Sequence, residues 1–219
     1  MISVQPKHFA VVVLLAGLTA CGGGITPLAS ATAPTPEVRR PSSAATRPLG
    51  RPPVSGTLSA GVTEADLDAL WVRQLMVPVD GAEPSDLRDE YDAKRRGGRT
   101  HRAIDVMSPK GTPVVAADDG RIGRLGTTPI GGNIIYATDP DERFVYYYAH
   151  LDRHARGLQV GQRVRKGDVI GYVGTTGNAP ASVPHLHFQV MLRGTARAWW
   201  DGPAINPWLF FVYSGLANQ

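Results

Sequence analysis

The chain is poor in cysteine, in long apolar runs and in clustered positive charge, and each shortage closes off a class of answer. Among 219 residues there is one cysteine, Cys21, so the domain holds no internal disulfide. The main apolar stretch, Phe9–Ala20, is 12 residues long, well below the ~20 that a membrane-spanning helix needs. Lys and Arg number 23 against 19 Asp and Glu. Beyond the short Lys94-Arg95-Arg96 they form no extended run, and no basic-aromatic stripe, which argues against nucleic acid as a partner. Histidine is scarce as well, with six in all. Yet four of the six fall in three short phrases: His101-Arg102-Ala103-Ile104-Asp105, Tyr148-Ala149-His150-Leu151 and His185-Leu186-His187. None of these phrases contains glutamate, so proton transfer at a site built from them falls to imidazoles, whose unperturbed pKa near 6.5 suits the task.

The rest of the composition, 42% hydrophobic and 19% charged, suits one globular domain with accessory sequence. Residues 1–20 read as an export signal: Lys7 and His8 close a short polar start, an apolar run follows, and small residues end it. Leu18-Thr19-Ala20-Cys21 resembles the lipobox of bacterial lipoproteins, in which the cysteine becomes the acylated N-terminus. Cleavage at Ala29-Ser30-Ala31 or Ala31-Thr32-Ala33 would instead release a soluble protein. The lipobox abuts the apolar run, and Gly22 rather than Asp follows the cysteine. The resemblance then implies lipidation at Cys21 and residence at the inner face of the outer membrane, facing the periplasm. Residues 21–61 are rich in Pro, Ala, Thr, Ser and Gly, with seven prolines between Gly22 and Gly61. Such a segment buries too little apolar surface to offset its ordering entropy and is expected to be a flexible tether. Forty residues of such chain reach roughly 35 Å root-mean-square.

Residues 62–76 are assigned to a short helix, with Thr63-Glu64-Ala65-Asp66 as a capping box and Leu67, Leu70 and Trp71 as its apolar stripe over about 64–75. From 77 to 212 the pattern is β, and 213–219 is left as a tail. Val114–Ala117, Asn133–Thr138, Arg143–Ala149, Val169–Val173 and His187–Leu192 are rich in Val, Ile, Tyr and Phe and are separated by turn signals. The clearest hairpin joins Ile134–Tyr136 to Phe144–Tyr148. Short strands joined by turns predict a mainly β domain, an antiparallel sheet or sandwich. The stretch Gly161–Gly171 has the compact form also seen in lipoyl and biotinyl carrier hairpins, but Lys166 lacks the modifiable context and reads as scaffold.

Parity along strands sets the candidate geometry. Ile104 and Val106 read as core, which turns Asp105 to the other face. His101 shares Asp105's parity, yet a straight strand would leave their Cα atoms roughly 13 Å apart, too far for one metal. The chain must therefore bend before the strand, and Gly97-Gly98 supplies the flexibility. The spacing also excludes the helical pair of His-Glu-x-x-His enzymes. His185 and His187 share a face while Leu186 and Phe188 point to the core. Tyr146, Tyr148 and His150 share parity and predict a stripe lining a groove. His154 belongs to no phrase and reads as solvated. Two imidazoles with one carboxylate make a three-ligand zinc set with an open position, where the metal lowers the pKa of a bound water toward ~7.

Together, His101-x-x-x-Asp105, Tyr148-Ala149-His150-Leu151 and Pro184-His185-Leu186-His187-Phe188 resemble the M23 zinc metallopeptidases, the LytM or lysostaphin-type peptidoglycan endopeptidases. The resemblance runs from about Gly98 to Phe188 and takes in Gly111–Ala117 and Gly167–Gly171. It implies a mostly antiparallel β fold with a groove across the sheet, Zn2+ held by His101, Asp105 and His187, and catalysis by His150 and His185. One of the pair would take the water proton, and the other would stabilise the oxyanion or protonate the leaving amine. Ala103 stands where many members carry Gly. For a tethered outer-membrane form the resemblance implies hydrolysis of D,D peptide cross-links of peptidoglycan. The alternatives are a catalytically silent wall-binding or amidase-activating lipoprotein, and a general zinc protease of exported proteins. Tyr91 is a further candidate for the oxyanion. The pair Trp199-Trp200 and the segment Pro207-Trp208 are expected to pack over the domain's end, with contact to substrate as the alternative.

Overall fold

The computed structural model describes residues 50–51, 58–195 and 197–216. The export signal, Cys21 and most of the tether lie outside the described residues. Among the described residues, no helix is long and apolar enough to cross a membrane.

Helix α1, Glu64–Trp71, starts as the capping box requires: Thr63 accepts from the Asp66 amide and Asp66 reaches back to the Thr63 amide. It is shorter than the expected 64–75. Val72 is its C-cap and Gln74 turns left-handed at φ 48°. Lys166 Nζ then donates to the Arg73 and Gln74 carbonyls at 2.7 and 2.8 Å. The lysine of the Gly161–Gly171 hairpin thus ties down the end of α1 and serves as scaffold.

Among the described residues nine strands follow: β1 Ile104–Met107, β2 Pro113–Val115, β3 Gly120–Thr128, β4 Gly132–Thr138, β5 Phe144–His154, β6 Arg163–Val164, β7 Val169–Val173, β8 His185–Leu192 and β9 Ala204–Ile205. All named pairings are antiparallel, in the order β1-β8-β5-β4-β3-β6, with β7 joined to β5 and β2, and β9 to β8. The expected hairpin is β4–β5, with Tyr136 opposite Tyr147. Strand β3 was not anticipated. Its sequence Gly-Arg-Ile-Gly-Arg-Leu-Gly-Thr-Thr dilutes the period-two pattern, and the ladders to β4 and β6 on either side hold it extended. Helix α2, Trp208–Leu216, carries the chain through the 212/213 boundary proposed for a tail.

The core lies on one face of this sheet. Ile104, Val106, Tyr146, Tyr148, Leu186, Phe188 and Val190 are at most 1% exposed. The Phe211 ring of α2 lies tilted 6.0 Å from that of Phe188, and Trp71 of α1 lies 6.2 Å from Phe210. Both helices therefore cover the core face. The opposite face, carrying His187 and Gln189 of β8, is left half-exposed, and the candidate site is built there.

Candidate metal centre

Three segments converge on this face. On β8, His185 and His187 take the face opposite Leu186 and Phe188, as parity requires. Asp105 stands opposite His187 in the β1–β8 ladder, so its carboxylate projects to the same side. His101 arrives by a bend, but the bend is not where the glycines are. Gly97 and Gly98, both left-handed, form the tip of a small hairpin closed by Lys94 opposite Thr100. The turn into β1 is made by Arg102, at φ 57°. The His101 and Arg102 amides donate to the Ala93 and Tyr91 carbonyls at 2.9 and 2.8 Å, which holds that bend.

His150 corrects the expected stripe. By strict alternation it would share the core face with Tyr146 and Tyr148, which are both buried. The Tyr146 hydroxyl donates to Asp118 Oδ2 at 2.8 Å, and the Ala117 amide donates to the Tyr148 hydroxyl at 3.0 Å. These two tyrosines are core residues and line no groove. A bulge in β5, with the register shifting between Asn133 and Ile135 of β4, puts His150 at φ 61° and turns its ring to the site face. Its amide donates to the Gly131 carbonyl at 2.7 Å. The Gly132 backbone, at φ 64°, runs so close to residues 176–177 that a Cβ there would meet the Thr176 carbonyl carbon at 2.3 Å. Tyr147, on the opposite parity, faces the site, its ring 6.0 Å from His187.

The resulting cluster is tight. His101 Nε2 lies 3.0 Å from both Asp105 Oδ1 and His187 Nδ1, and His187 Nδ1 lies 3.1 Å from Asp105 Oδ1. Three lone-pair donors at one point create a demand for a cation, and a set of two imidazoles and one carboxylate suits Zn2+. The Arg95 guanidinium meets that demand here: Nη2 is 2.6 Å from Asp105 Oδ2 and 2.9 Å from His101 Nε2. The orienting contacts also fit a metal. His101 Nδ1 donates to the Glu90 carbonyl at 3.0 Å, leaving Nε2 free to ligate. Ala103, fully buried at the start of β1, offers no ligand atom.

The other two histidines are held alike. His150 Nδ1 donates to the Thr176 carbonyl and His185 Nδ1 to the Val183 carbonyl, each at 2.8 Å. Each therefore keeps Nε2 as a lone-pair acceptor. Their rings are 5.0 Å apart, and His150 lies 5.7 Å from His187. Burial pushes His150 down to about 4, with smaller repulsion from His187 and His185 and an opposing hydrogen bond to Thr176. Burial works to raise the Asp105 carboxyl. In the metal-free cluster, hydrogen bonds and charge from His101 and His187 in the forms that carry a proton toward it overcome this and hold it well below the usual carboxylate range. Burial also lowers His187, against the pull of Asp105.

Other candidates separate cleanly. Tyr91 is buried, its hydroxyl donating to the Ala204 carbonyl at 2.8 Å and bonded to Ser59 at 3.0 Å, so the hydroxyl proposed for the oxyanion is engaged in scaffold. His154 is half-buried rather than fully solvated, its Nε2 donating to the Ile134 carbonyl at 3.0 Å. Trp208 packs over Leu87, whose carbonyl accepts from its indole at 3.5 Å. Trp199 and Trp200 instead lie beside Tyr136. Sequence reading missed Arg95, Tyr147 and Thr176. Arg95 is in no motif, and Thr176 carried only a turn signal, although it accepts from His150 through its carbonyl and from the Asn133 amide through its hydroxyl.

Residues 99–201 match the sequence model of Peptidase family M23. The glycyl-glycine endopeptidase ALE-1 of Staphylococcus capitis is 41% identical over 123 residues, 56% of this chain and 32% of that protein. The peptidoglycan DD-endopeptidase ShyC of Vibrio cholerae is 34% identical over 96 residues, 44% of this chain and 21% of that one. The chain thus spans a third or less of these relatives' lengths. The crystal structure of a LytM from Ruminococcus gnavus superposes with a TM-score of 0.57 at 28% identity, covering 70% of this chain and 65% of that one. Fold, motif spacing and family model agree that residues 99–201 form a Peptidase family M23 domain.

Proposed function

We propose that this protein is a zinc metalloendopeptidase that hydrolyses peptide cross-links in bacterial peptidoglycan. The observation that carries the reading is the convergence of His101 Nε2, Asp105 Oδ1 and His187 Nδ1 within 3.0–3.1 Å, with two acceptor imidazoles beside them. His101, Asp105 and His187 would hold the ion. A zinc ion there supplies Lewis acidity, which polarises the scissile carbonyl and acidifies water. His150 is in its neutral, acceptor form near pH 7 because burial holds it down, and so is competent to take a proton from water. His185 faces the same space, with its Nε2 free to hydrogen-bond the oxyanion or the leaving amine once protonated. Val183 and Thr176 fix the two tautomers through their carbonyls. Water attack on the peptide carbonyl then yields a carboxylate and an amine, with both protons passing through imidazole.

The curated relatives act on different bonds: ALE-1 is named for glycyl-glycine and ShyC for the DD bond. For this chain we assign the D,D cross-link, on the strength of its lipobox-like Cys21 and expected place at the inner face of the outer membrane. The presence of all five site positions weighs against a metal-free wall-binding or amidase-activating role. Mass spectrometry of muropeptides released from sacculi by the zinc-loaded protein tests the reading. D,D-cleaved products are expected. A folded protein that neither binds zinc nor releases fragments overturns it, and equal turnover of casein would move it to a general protease.

A further inference from the structure

Beside the metal row of the sheet runs a second row with no role in the chemistry above. In an antiparallel ladder, directly paired residues project to the same face. Gln189 of β8 pairs with Tyr147 of β5, Tyr147 with Tyr136 of β4, and Tyr136 with Arg124 of β3. Gln189 is two residues from His187, so the whole row shares the site face. It crosses three strand spacings, about 14 Å. All four side chains are half-buried, whereas Tyr146, Tyr148 and Ile135 on the other parity are buried.

The far end of the row is built. The Tyr147 and Tyr136 rings lie 4.5 Å apart. Trp199 and Trp200, from the loop between β8 and β9, approach Tyr136 at 6.1 and 6.3 Å. The Arg124 guanidinium carbon sits 4.8 Å over the Trp200 ring and 5.9 Å from that of Tyr136. Gly123 makes room for this cluster: a Cβ there would stand 2.3 Å from Trp199 Cη2. Arg193, near Trp199, is paired with Glu142. Arg124 differs. Among the described residues no carboxylate lies within ion-pair distance of it. Asp201, whose charge acts on the Tyr136 hydroxyl, is not paired with it either. Ring faces hold this guanidinium in place without neutralising it.

We propose that the row of Tyr147, Tyr136 and Arg124, roofed by Trp199 and Trp200, is a substrate subsite that binds a carboxylate of an acidic peptide through Arg124. The proposal rests on the hydrolase reading, because the row opens onto His187 and an extended substrate crossing the metal row continues along it. Two ring faces flank the peptide's apolar atoms, and the guanidinium takes the carboxylate at the far end of the row, about 14 Å across the strands from Gln189.

The test compares cross-linked muropeptides carrying free carboxylates with the same muropeptides after amidation, using the full chain loaded with zinc. Arg124→Gln is expected to raise KM about tenfold on the free acid and leave kcat within about twofold, in line with loss of one charge-assisted contact. Wild type should lose a similar factor on amidation, and Arg124→Gln should be indifferent to it. Arg124→Lys should recover part of the loss. Arg156→Gln, which removes an equal charge from an exposed turn, should change nothing. A loss in Arg124→Gln that is equal on free and amidated ligands overturns the proposal, as does wild-type indifference to amidation, the outcome expected of a sugar platform. Binding is read separately by the fluorescence change of Trp199 and Trp200. If no muropeptide is cut, the hydrolase reading fails, while carboxylate-dependent binding still supports the subsite and its absence overturns it.

Discussion

The histidines of β8 and those of the two bent segments reach the same site by different means. His185 and His187 sit in an unbroken ladder, where alternation alone aims them. His101 and His150 each depend on one left-handed residue without the freedom of glycine, Arg102 at φ 57° and His150 itself at φ 61°. An L-residue there costs roughly 1–2 kcal/mol, a cost the surrounding hydrogen bonds must offset. A metal site needs side chains from several directions, and a flat ladder supplies only one.

The most severe loss is expected on the ladder side. His187→Ala removes a proposed ligand atom, so zinc content by atomic absorption and sacculus hydrolysis should vanish together. The bent side should split those two readouts. His150→Ala is expected to keep zinc and lose about 10²- to 10⁴-fold in kcat, the usual worth of a general acid–base group. Loss of metal in that variant would show that the roles are misassigned.

The pH dependence of the metal-free protein follows from His150. Its folded value, about 4, lies below the ordinary 6.5, so the unfolded chain binds the proton more readily. Stability is then complete above about pH 6.5 and falls as pH drops toward 4, by roughly 3 kcal/mol in all. Urea melts across that range should show the decline, and His150→Gln should flatten it.

Smaller effects probe the bends themselves. Arg102→Val places a β-branched residue at positive φ. It should cost about 1–2 kcal/mol and weaken zinc binding through His101, whereas Arg102→Gly should leave the affinity intact. Competition titration with a chromophoric chelator separates the two. The mildest change is Arg95→Ala. Its side chain is 39% exposed and its guanidinium shares the lone pairs of the proposed ligands His101 and Asp105, so zinc affinity should rise, by up to about fivefold for a pair worth ~1 kcal/mol. An unchanged affinity would mean that Arg95 leaves the site at no cost.

Legibility in the sequence followed the ladder. The capping box of α1, the β4–β5 hairpin and the shared face of His185 and His187 are all local patterns, and each stands in the structure as the pattern implies. The stripe of Tyr146, Tyr148 and His150 failed because a single extra residue in β5 reverses parity beyond Ala149. Nothing in Tyr-Ala-His-Leu announces a bulge. The bend before β1 was required by distance, but it fell on Arg102 rather than on the glycines. Backbone contacts to Ala93 and Tyr91 override local propensity there.

Residue order alone was enough for the class of fold and the chemical inventory: alternating β segments, four motif histidines and Asp105, with no glutamate in those motifs and no internal disulfide to share the work. The remainder came from the folded chain. Folding turned His150 to the site face, brought Arg95 onto His101 and Asp105 and lined up Tyr147, Tyr136 and Arg124 across three strands. The reason is physical. Residue type and period two are properties of neighbours along the chain. Bulges, positive φ and cross-strand rows are settled by hydrogen bonds and packing between residues far apart in it.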